Sequence, residues 1–267
     1  MRLSLFLAIL PYLLSPSVTA LPGRGGHANG ESLPPAFFLA GDSTTATQAT
    51  NGGGWGDGFL SLLIPPAGGA NYGRNGRTTV DFVSQGHWTD LMASVIAETE
   101  VNPAAISETR RHPWVTIQFG HNDQKPAKNI SLAQYQENLI ALAEEVKTVG
   151  GTPILVTPLT RRTFGDDGVL KDSLHDERLA TITAAETSGT TYIDLNAASI
   201  AYVQALGEEA AHTYNLVEGD NTHLSDWGSA VFGRMIADLL LAKKKELGCW
   251  IAKNNTMSEL IKQGLLA

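Results

Sequence analysis

The sequence predicts an α/β domain with a mainly parallel central sheet and helices packed on both of its faces. Three observations point there. Short apolar runs of strand length recur at 37–40, 114–119, 153–159 and 191–195, and segments with helical spacing separate them. Several of these strands stop abruptly at loops rich in Gly, Asn, Asp and Ser. At 267 residues with 43% hydrophobic content, the chain can bury one substantial core, and neither an internal repeat nor a linker after Pro35 divides it.

In chain order, residues 1–20 read as a secretory signal peptide. Arg2 supplies the basic start, 3–14 is a short apolar stretch broken by Pro11, and Val18-Thr19-Ala20 offers a small-residue cleavage site. Residues 21–35 are rich in Gly and Pro and read as a flexible leader. Within them Gly23-Arg24-Gly25-Gly26-His27-Ala28 imitates a dinucleotide fingerprint, but no strand precedes it and no helix follows. The folded domain is expected to occupy 36–247, with 248–267 a tail of unknown role. Its first strand, 37–40, is followed by a helix over 56–63 that ends before Pro65. Next come a loop over 71–79 and helices over 80–85 and 89–98.

After the strand at 114–119, the clearest helix runs over 131–149. Ser131 and Gln134 have capping-box spacing, Leu132, Tyr135, Leu139, Leu142, Val146 and Val149 recur on one face, and Gly150 closes it. Helices are also predicted at 175–187 and 197–206. A long last helix at 225–247 carries Trp227, Val231, Met235 and Leu239 inward.

Composition narrows the function. A net charge of −8 with no basic stripe disfavours nucleic acid and anionic membrane surfaces as partners. The apolar run near the start is too short for a transmembrane helix. Asn129-Ile130-Ser131 and Asn254-Asn255-Thr256 match the N-glycosylation sequon, making Asn129 and Asn254 candidate glycan acceptors. Cys249 is the one cysteine, so no intramolecular disulfide forms, and it reads as a buried apolar residue.

Four loops carry residues that together make an acyl-transfer site. Ser43 follows the first strand, where a nucleophile would stand exposed at the carboxyl edge of the sheet. His223 can take and return a proton near neutrality, and Asp220, three residues earlier, can hold its Nδ1–H. Backbone N–H groups at Ser43 and Gly76, with the Asn122 side-chain amide, would supply donors for an oxyanion. Taken singly, each has a plainer role: Ser43 and Gly76 as turn residues, Asp220 to His223 as a helix-entry turn, Asn122-Asp123 as a cap. Their joint occurrence at predicted strand ends and a helix entry favours the chemical role. His121-Asn122-Asp123 has no second ligand cluster to make it a metal site.

These blocks resemble the SGNH, or GDSL-type, hydrolases, whose name marks Ser, Gly, Asn and His in four successive blocks. Here the blocks are Gly41-Asp42-Ser43-Thr44, the glycine Gly76, Gly120-His121-Asn122-Asp123 and Asp220-Asn221-Thr222-His223. Gly41 to Ala46, Gly54-Trp55-Gly56 and Gly76-Arg77-Thr78 bring the chain closest to the rhamnogalacturonan acetylesterases and their fungal relatives. It departs from them in block two, which reads Gly76-Arg77-Thr78-Thr79-Val80-Asp81 where they more often have serine and a second arginine. The disulfides of fungal members cannot form here.

The resemblance implies a flavodoxin-like three-layer α/β/α fold and catalysis by Ser43, His223 and Asp220, with Ser43, Gly76 and Asn122 as the oxyanion hole. It implies a secreted, extracellular esterase that removes acetyl groups from plant cell-wall polysaccharide, acetylated pectin first. Trp55 and Arg77 are expected at the sugar chain. No cofactor or metal is required, and a monomer is expected. Acetyl-xylan and short-chain lipid esters are the alternative substrates, and a carbohydrate-binding protein without turnover is the non-enzymatic alternative.

Overall fold

The computed structural model describes residues 33–99 and 110–267. The expected signal peptide and leader residues 21–32 lie outside the described residues. A five-stranded sheet is built from β1 (Pro35–Gly41), β2 (Gly68–Asn71), β3 (His112–Gln118), β4 (Thr152–Val156) and β5 (Thr191–Ile193). Its spatial order is β2-β1-β3-β4-β5, and every neighbouring pair is parallel. The order reverses beside β1, so a crevice opens at the carboxyl ends of β1 and β3, the place where open α/β sheets receive ligands.

The period-two alternation of β1 divides the core. Phe37 and Leu39 point to one face and Ala36, Phe38 and Ala40 to the other. On the first face pack α1 (Gly56–Leu60), α6 (Leu195–Leu206) and α8 (Asp226–Lys243). On the second pack α2 (Thr79–Ser84), α3 (His87–Thr99), α4 (Leu132–Thr148) and α5 (His175–Ser188). The result is the predicted three-layer α/β/α arrangement. In α4 the expected stripe of Tyr135, Leu139, Leu142 and Val146 is buried. Each such side chain contributes about 1.5–3 kcal/mol by leaving water.

Several expectations need correction. The first helix stops at Leu60 rather than at residue 63. Strand β2 is not among the strands the sequence predicts. Its second glycine is required by close approach, since a Cβ on Gly69 would lie 2.0 Å from the Phe37 carbonyl oxygen. Ser131 accepts the Gln134 N–H at 3.1 Å, but the Gln134 side chain turns to Asn138, so only half of a capping box forms. A reciprocal box caps α2 instead, between Thr78 and Asp81.

Trp227 does not point inward. It is 54% exposed, and its indole N–H donates to the Ala267 carbonyl at 2.8 Å, while Leu239 is only partly buried. The buried face of α8 runs through Val231, Phe232, Met235, Ile236 and Leu240. The short helix α7 (Glu208–His212) lacks a sequence signal long enough to predict. Cys249 is exposed, at the end of a 3-10 turn over Lys245–Cys249. Within the tail, Ile251 is buried and bridges to Leu63, and α8 is followed by a last helix, α9 (Asn255–Gln263). Among the described residues no helix is long and apolar enough to cross a membrane.

Helices α1 and α8 touch backbone to backbone. A Cβ on Gly233 would lie 2.4 Å from the Phe59 nitrogen, and one on Gly58 would lie 2.0 Å from the Ser229 carbonyl oxygen. Gly233→Ala should therefore lower stability by roughly 1–3 kcal/mol through overpacking, read as a reduced urea midpoint at constant m-value. Gly248, with open space where its Cβ would be, serves as the comparison. Gly248→Ala should change the midpoint little.

Candidate active site

The loop after β1 is held from beneath. Asp42 is wholly buried, and its Oδ1 accepts the Thr44 N–H and the Thr44 hydroxyl, each at 2.9 Å. Gln118, the last residue of β3, is equally buried. Its amide nitrogen donates to the Thr44 hydroxyl at 2.7 Å, and its amide oxygen accepts from the Thr45 hydroxyl at 3.0 Å. The Trp55 indole N–H also donates to that oxygen. Ser43 is thus presented by a loop tied to the neighbouring strand, with little freedom to shift.

His223 is placed by a different set of contacts. Its loop closes through a bridge between Asn215 and Leu224, and the Leu224 N–H donates to the Gly53 carbonyl at 2.8 Å, beside the Ser43 loop. Arg162, fully buried, reaches the Asn215 side-chain oxygen at 2.5 Å and the His223 carbonyl at 2.6 Å. Burial pushes the Arg162 guanidinium down to about 10, with the Asp220 charge opposing, so it stays charged at neutral pH.

These supports bring Ser43, His223 and Asp220 into one chain. The Ser43 hydroxyl lies 2.8 Å from His223 Nε2, and His223 Nδ1 lies 2.8 Å from Asp220 Oδ2. Asp220 Oδ1 accepts the backbone N–H groups of Thr222 at 3.1 Å and His223 at 3.0 Å. Burial pushes the Asp220 carboxyl up. The hydrogen bonds from His223 and Thr222 outweigh it and hold the group below the usual carboxylate range. An ionised Oδ2 leaves Nδ1 as the protonated nitrogen and Nε2 free to accept from the serine.

The remaining donors stand at neighbouring loops. Asn122, 3% exposed, follows Gly120, whose φ of +132° needs glycine. Its Nδ2 donates to the Arg77 carbonyl at 3.1 Å, leaving one amide proton, and its Oδ1 accepts from Lys125 at 2.6 Å. Gly76 has φ +74° with open space around its Cα, so backbone conformation rather than crowding calls for glycine there. Among the described residues the backbone N–H groups of Ser43 and Gly76 make no hydrogen bond. Asp123, buried beside them, joins the loops: its Oδ1 accepts the Thr79 N–H at 2.9 Å and the Thr79 hydroxyl at 2.7 Å.

Trp55 is a correction. It was expected at the sugar, yet it is 0% exposed, with its indole spent on Gln118 and its ring packed edge-on to Phe59. No face of it is free for a polysaccharide. Arg77 is half-buried at the surface, where its Nε donates to Gln85 at 2.7 Å and its Nη1 to the Asn75 carbonyl at 2.9 Å. Arg162 and Gln118 were missed. Nothing local distinguishes Arg161-Arg162 from an exposed charged pair, or Gln118 from any strand residue.

The fold and these four loops define an esterase of a particular class. Residues 39–231 match the model of the GDSL-like Lipase/Acylhydrolase family, and the chain belongs to that family of carboxylic ester hydrolases. It is similar to the rhamnogalacturonan acetylesterase RhgT of Bacillus subtilis, with 29% identity over 220 residues, 77% of this chain and 89% of RhgT. The uncharacterized esterase YxiM of the same organism is 32% identical over 124 residues, 46% of this chain and 32% of YxiM. The crystal structure of YxiM superposes with a TM-score of 0.65 at 23% identity, covering 79% of this chain and 57% of that one. The acetylxylan esterase Axe2 of Geobacillus stearothermophilus shares the fold at a TM-score of 0.54 and 21% identity, covering 84% and 98%.

Burial, aided by the charge of Asp42 and opposed by the Thr79 hydrogen bonds, pushes the Asp123 carboxyl up from 3.8 to about 6. A carboxyl raised in this way binds its proton more tightly in the folded than in the unfolded chain. Its charge therefore costs no stability below about 3.8, and costs progressively more as pH climbs to about 6. Asp123→Asn keeps an oxygen acceptor for Thr79 and removes the charge. Thermal scans should show the variant melting above wild type at about pH 8, with the gap narrowing toward about pH 4. A gap that did not change with pH would show that the Asp123 charge is not the cause.

Proposed function

We propose that the protein is a secreted carbohydrate acetylesterase that acts through a Ser43 acyl-enzyme, with acetylated pectin as its first substrate. The observation that carries this reading is the unbroken chain from the Ser43 hydroxyl through His223 to Asp220, with contacts of 2.8 Å at both links. Ser43 Oγ attacks the acetyl carbonyl carbon as His223 Nε2 takes its proton, and the Asp220 carboxylate steadies the imidazolium. The oxyanion is received by the unpaired N–H groups of Ser43 and Gly76 and by the Asn122 amide. The carbon–oxygen bond to the sugar then breaks, and His223 gives its proton to the departing sugar oxygen. Water attacks the acetyl-serine, losing its proton to His223, and acetate leaves as Ser43 regains a proton.

The similarity to RhgT over most of both chains supports pectin as the polysaccharide. The family membership alone is equally compatible with acetyl-xylan or short-chain lipid esters. Residues 1–20 as a signal peptide support secretion. Both sequon asparagines, Asn129 and Asn254, are exposed, which leaves them open to glycan transfer. Asn254 also caps α9, its Oδ1 accepting the Met257 N–H at 3.1 Å.

Acetate release from acetylated pectin, acetyl-xylan and short-chain lipid esters tests the reading, and pectin is expected to give the highest kcat/KM. Ser43→Ala should reduce turnover by several orders of magnitude with the fold intact. Near wild-type release by that variant would remove Ser43 as the nucleophile. Asn122→Ala should lower kcat about 10²–10³-fold with little change in KM; a change in KM alone would assign Asn122 to ground-state binding. Because Asp220 stays ionised, the acidic limb of kcat/KM should carry one ionisation, and Asp220→Asn should cut the maximum about 10⁴-fold by disturbing the tautomer. A second ionisation on that limb would mean that Asp220 titrates too.

A further inference from the structure

An open cleft of about 410 Å³ lies beside the loop that carries Gly76, within the size range of ligand sites. Gln48, Arg74, Asn75, Arg77 and His87 are among its lining residues, and none of the lining residues is acidic. In a chain of net charge −8, two arginines flank the proposed oxyanion donor Gly76 on one short loop. Neither forms an ion pair among the described residues. Arg74 is exposed, and its Nη1 makes only a long contact of 3.5 Å to the Gly73 carbonyl. Arg77 uses Nε and Nη1, leaving Nη2 without a partner. Carboxylates on neighbouring elements are engaged elsewhere: Asp57 accepts from Thr47 and Asn71, and Asp81 pairs with Lys128. Asp90 acts on His87 only as a minor opposing charge.

The wall between these arginines is polar and incompletely satisfied. Gln48 Oε1, Asn75 Oδ1 and His87 Nε2 are buried in it with no hydrogen-bond partner. Gln48 Oε1 and Asn75 Oδ1 can only accept, so they suit a donor such as a sugar hydroxyl or a water, not an anion. Burial first, then the charges of Arg74 and Arg77, hold the His87 imidazole below its usual range. At neutral pH the cleft's positive charge therefore rests on the two guanidinium groups, which suit a carboxylate through paired N–H donors. The cleft also adjoins the reacting centre. Asn122 donates to the Arg77 carbonyl, and the Gln48 amide nitrogen donates to the carbonyl of Ser225, two residues after His223.

We propose that this cleft binds the carboxylate of a uronic acid in the polysaccharide, so that Arg74 and Arg77 make the enzyme selective for acetylated acidic chains over neutral ones. The inference rests on the esterase reading and adds to it the feature by which the substrate is chosen.

The test compares acetylated oligogalacturonate having free carboxylates with the same oligomer methyl-esterified, on wild type and on the Arg74→Gln/Arg77→Gln protein, with p-nitrophenyl acetate assayed in parallel. Wild type should favour the free acid by about tenfold or more in kcat/KM, mainly through KM, and the double variant should bring the ratio close to one. Both oligomers are read on one preparation, so partial misfolding cancels from the ratio. The wild-type KM for the free acid should also rise with salt while that for the methyl ester does not, a readout that needs no variant. A wild-type ratio near one, a salt-independent KM, or a large ratio that survives loss of both arginines would each overturn the proposal. Hydrolysis of p-nitrophenyl acetate with no preference between the oligomers sinks this inference alone, whereas failure to hydrolyse any of the three sinks the esterase reading as well.

Discussion

The parallel pairing of β1 with β3 is the contact on which the rest of the molecule depends. It runs without interruption from Pro35 opposite His112 to Gly41 opposite Gln118. Because the strand order reverses here, the two chains leave the sheet side by side at its carboxyl edge instead of being covered by a crossover helix. Ser43 follows one strand by two residues and Asn122 follows the other by four. Their separation is therefore a property of strand register, and a slip by one residue would turn each strand's buried set to the opposite face.

Register alone would leave two loops free to drift. Gln118 prevents this, because its single side chain bonds Thr44, Thr45 and Trp55 at once. A buried amide with all its partners present is rigid, and losing any of them would strand the others without water. Arg162 likewise ties Asn215 to the His223 carbonyl in the histidine loop. Asp123 ties the third and second loops together through Thr79. Each of these loops is thus held by a buried polar residue, which is what the preorganised site proposed for them requires.

The same economy explains why the Asp220 carboxylate can sit in water-accessible surroundings. Asp220 accepts two backbone N–H groups as well as the imidazole, so its ionisation is secured by hydrogen bonds rather than by burial. Asp123 has fewer donors for its burial, and one of its oxygens has none. The contrast between the two carboxyls, one held below and one above the ordinary range, follows from donor count against desolvation.

Much of this was legible in the sequence because it is local. Continuous apolar runs of strand length mark β1 and its neighbours, the i, i+3, i+4 spacing marks α4, and the Asp220-to-His223 interval is a turn that closes on itself. The presence of Ser43, Gly76, Asn122 and His223 in four successive loops suggested a common site, since strands in such a fold end on one edge. What the sequence could not decide was set by contacts between distant segments. Whether Trp55 faces a sugar or Gln118, whether Trp227 faces the core or the Ala267 carbonyl, and whether Gly69 marks a turn or a strand pressed against Phe37 all depend on partners far away in the chain. Arg162 and Gln118 look like any other arginine and glutamine until the fold removes water from around them. Only then does each of their hydrogen bonds become necessary, because a buried polar atom has no other partner to turn to.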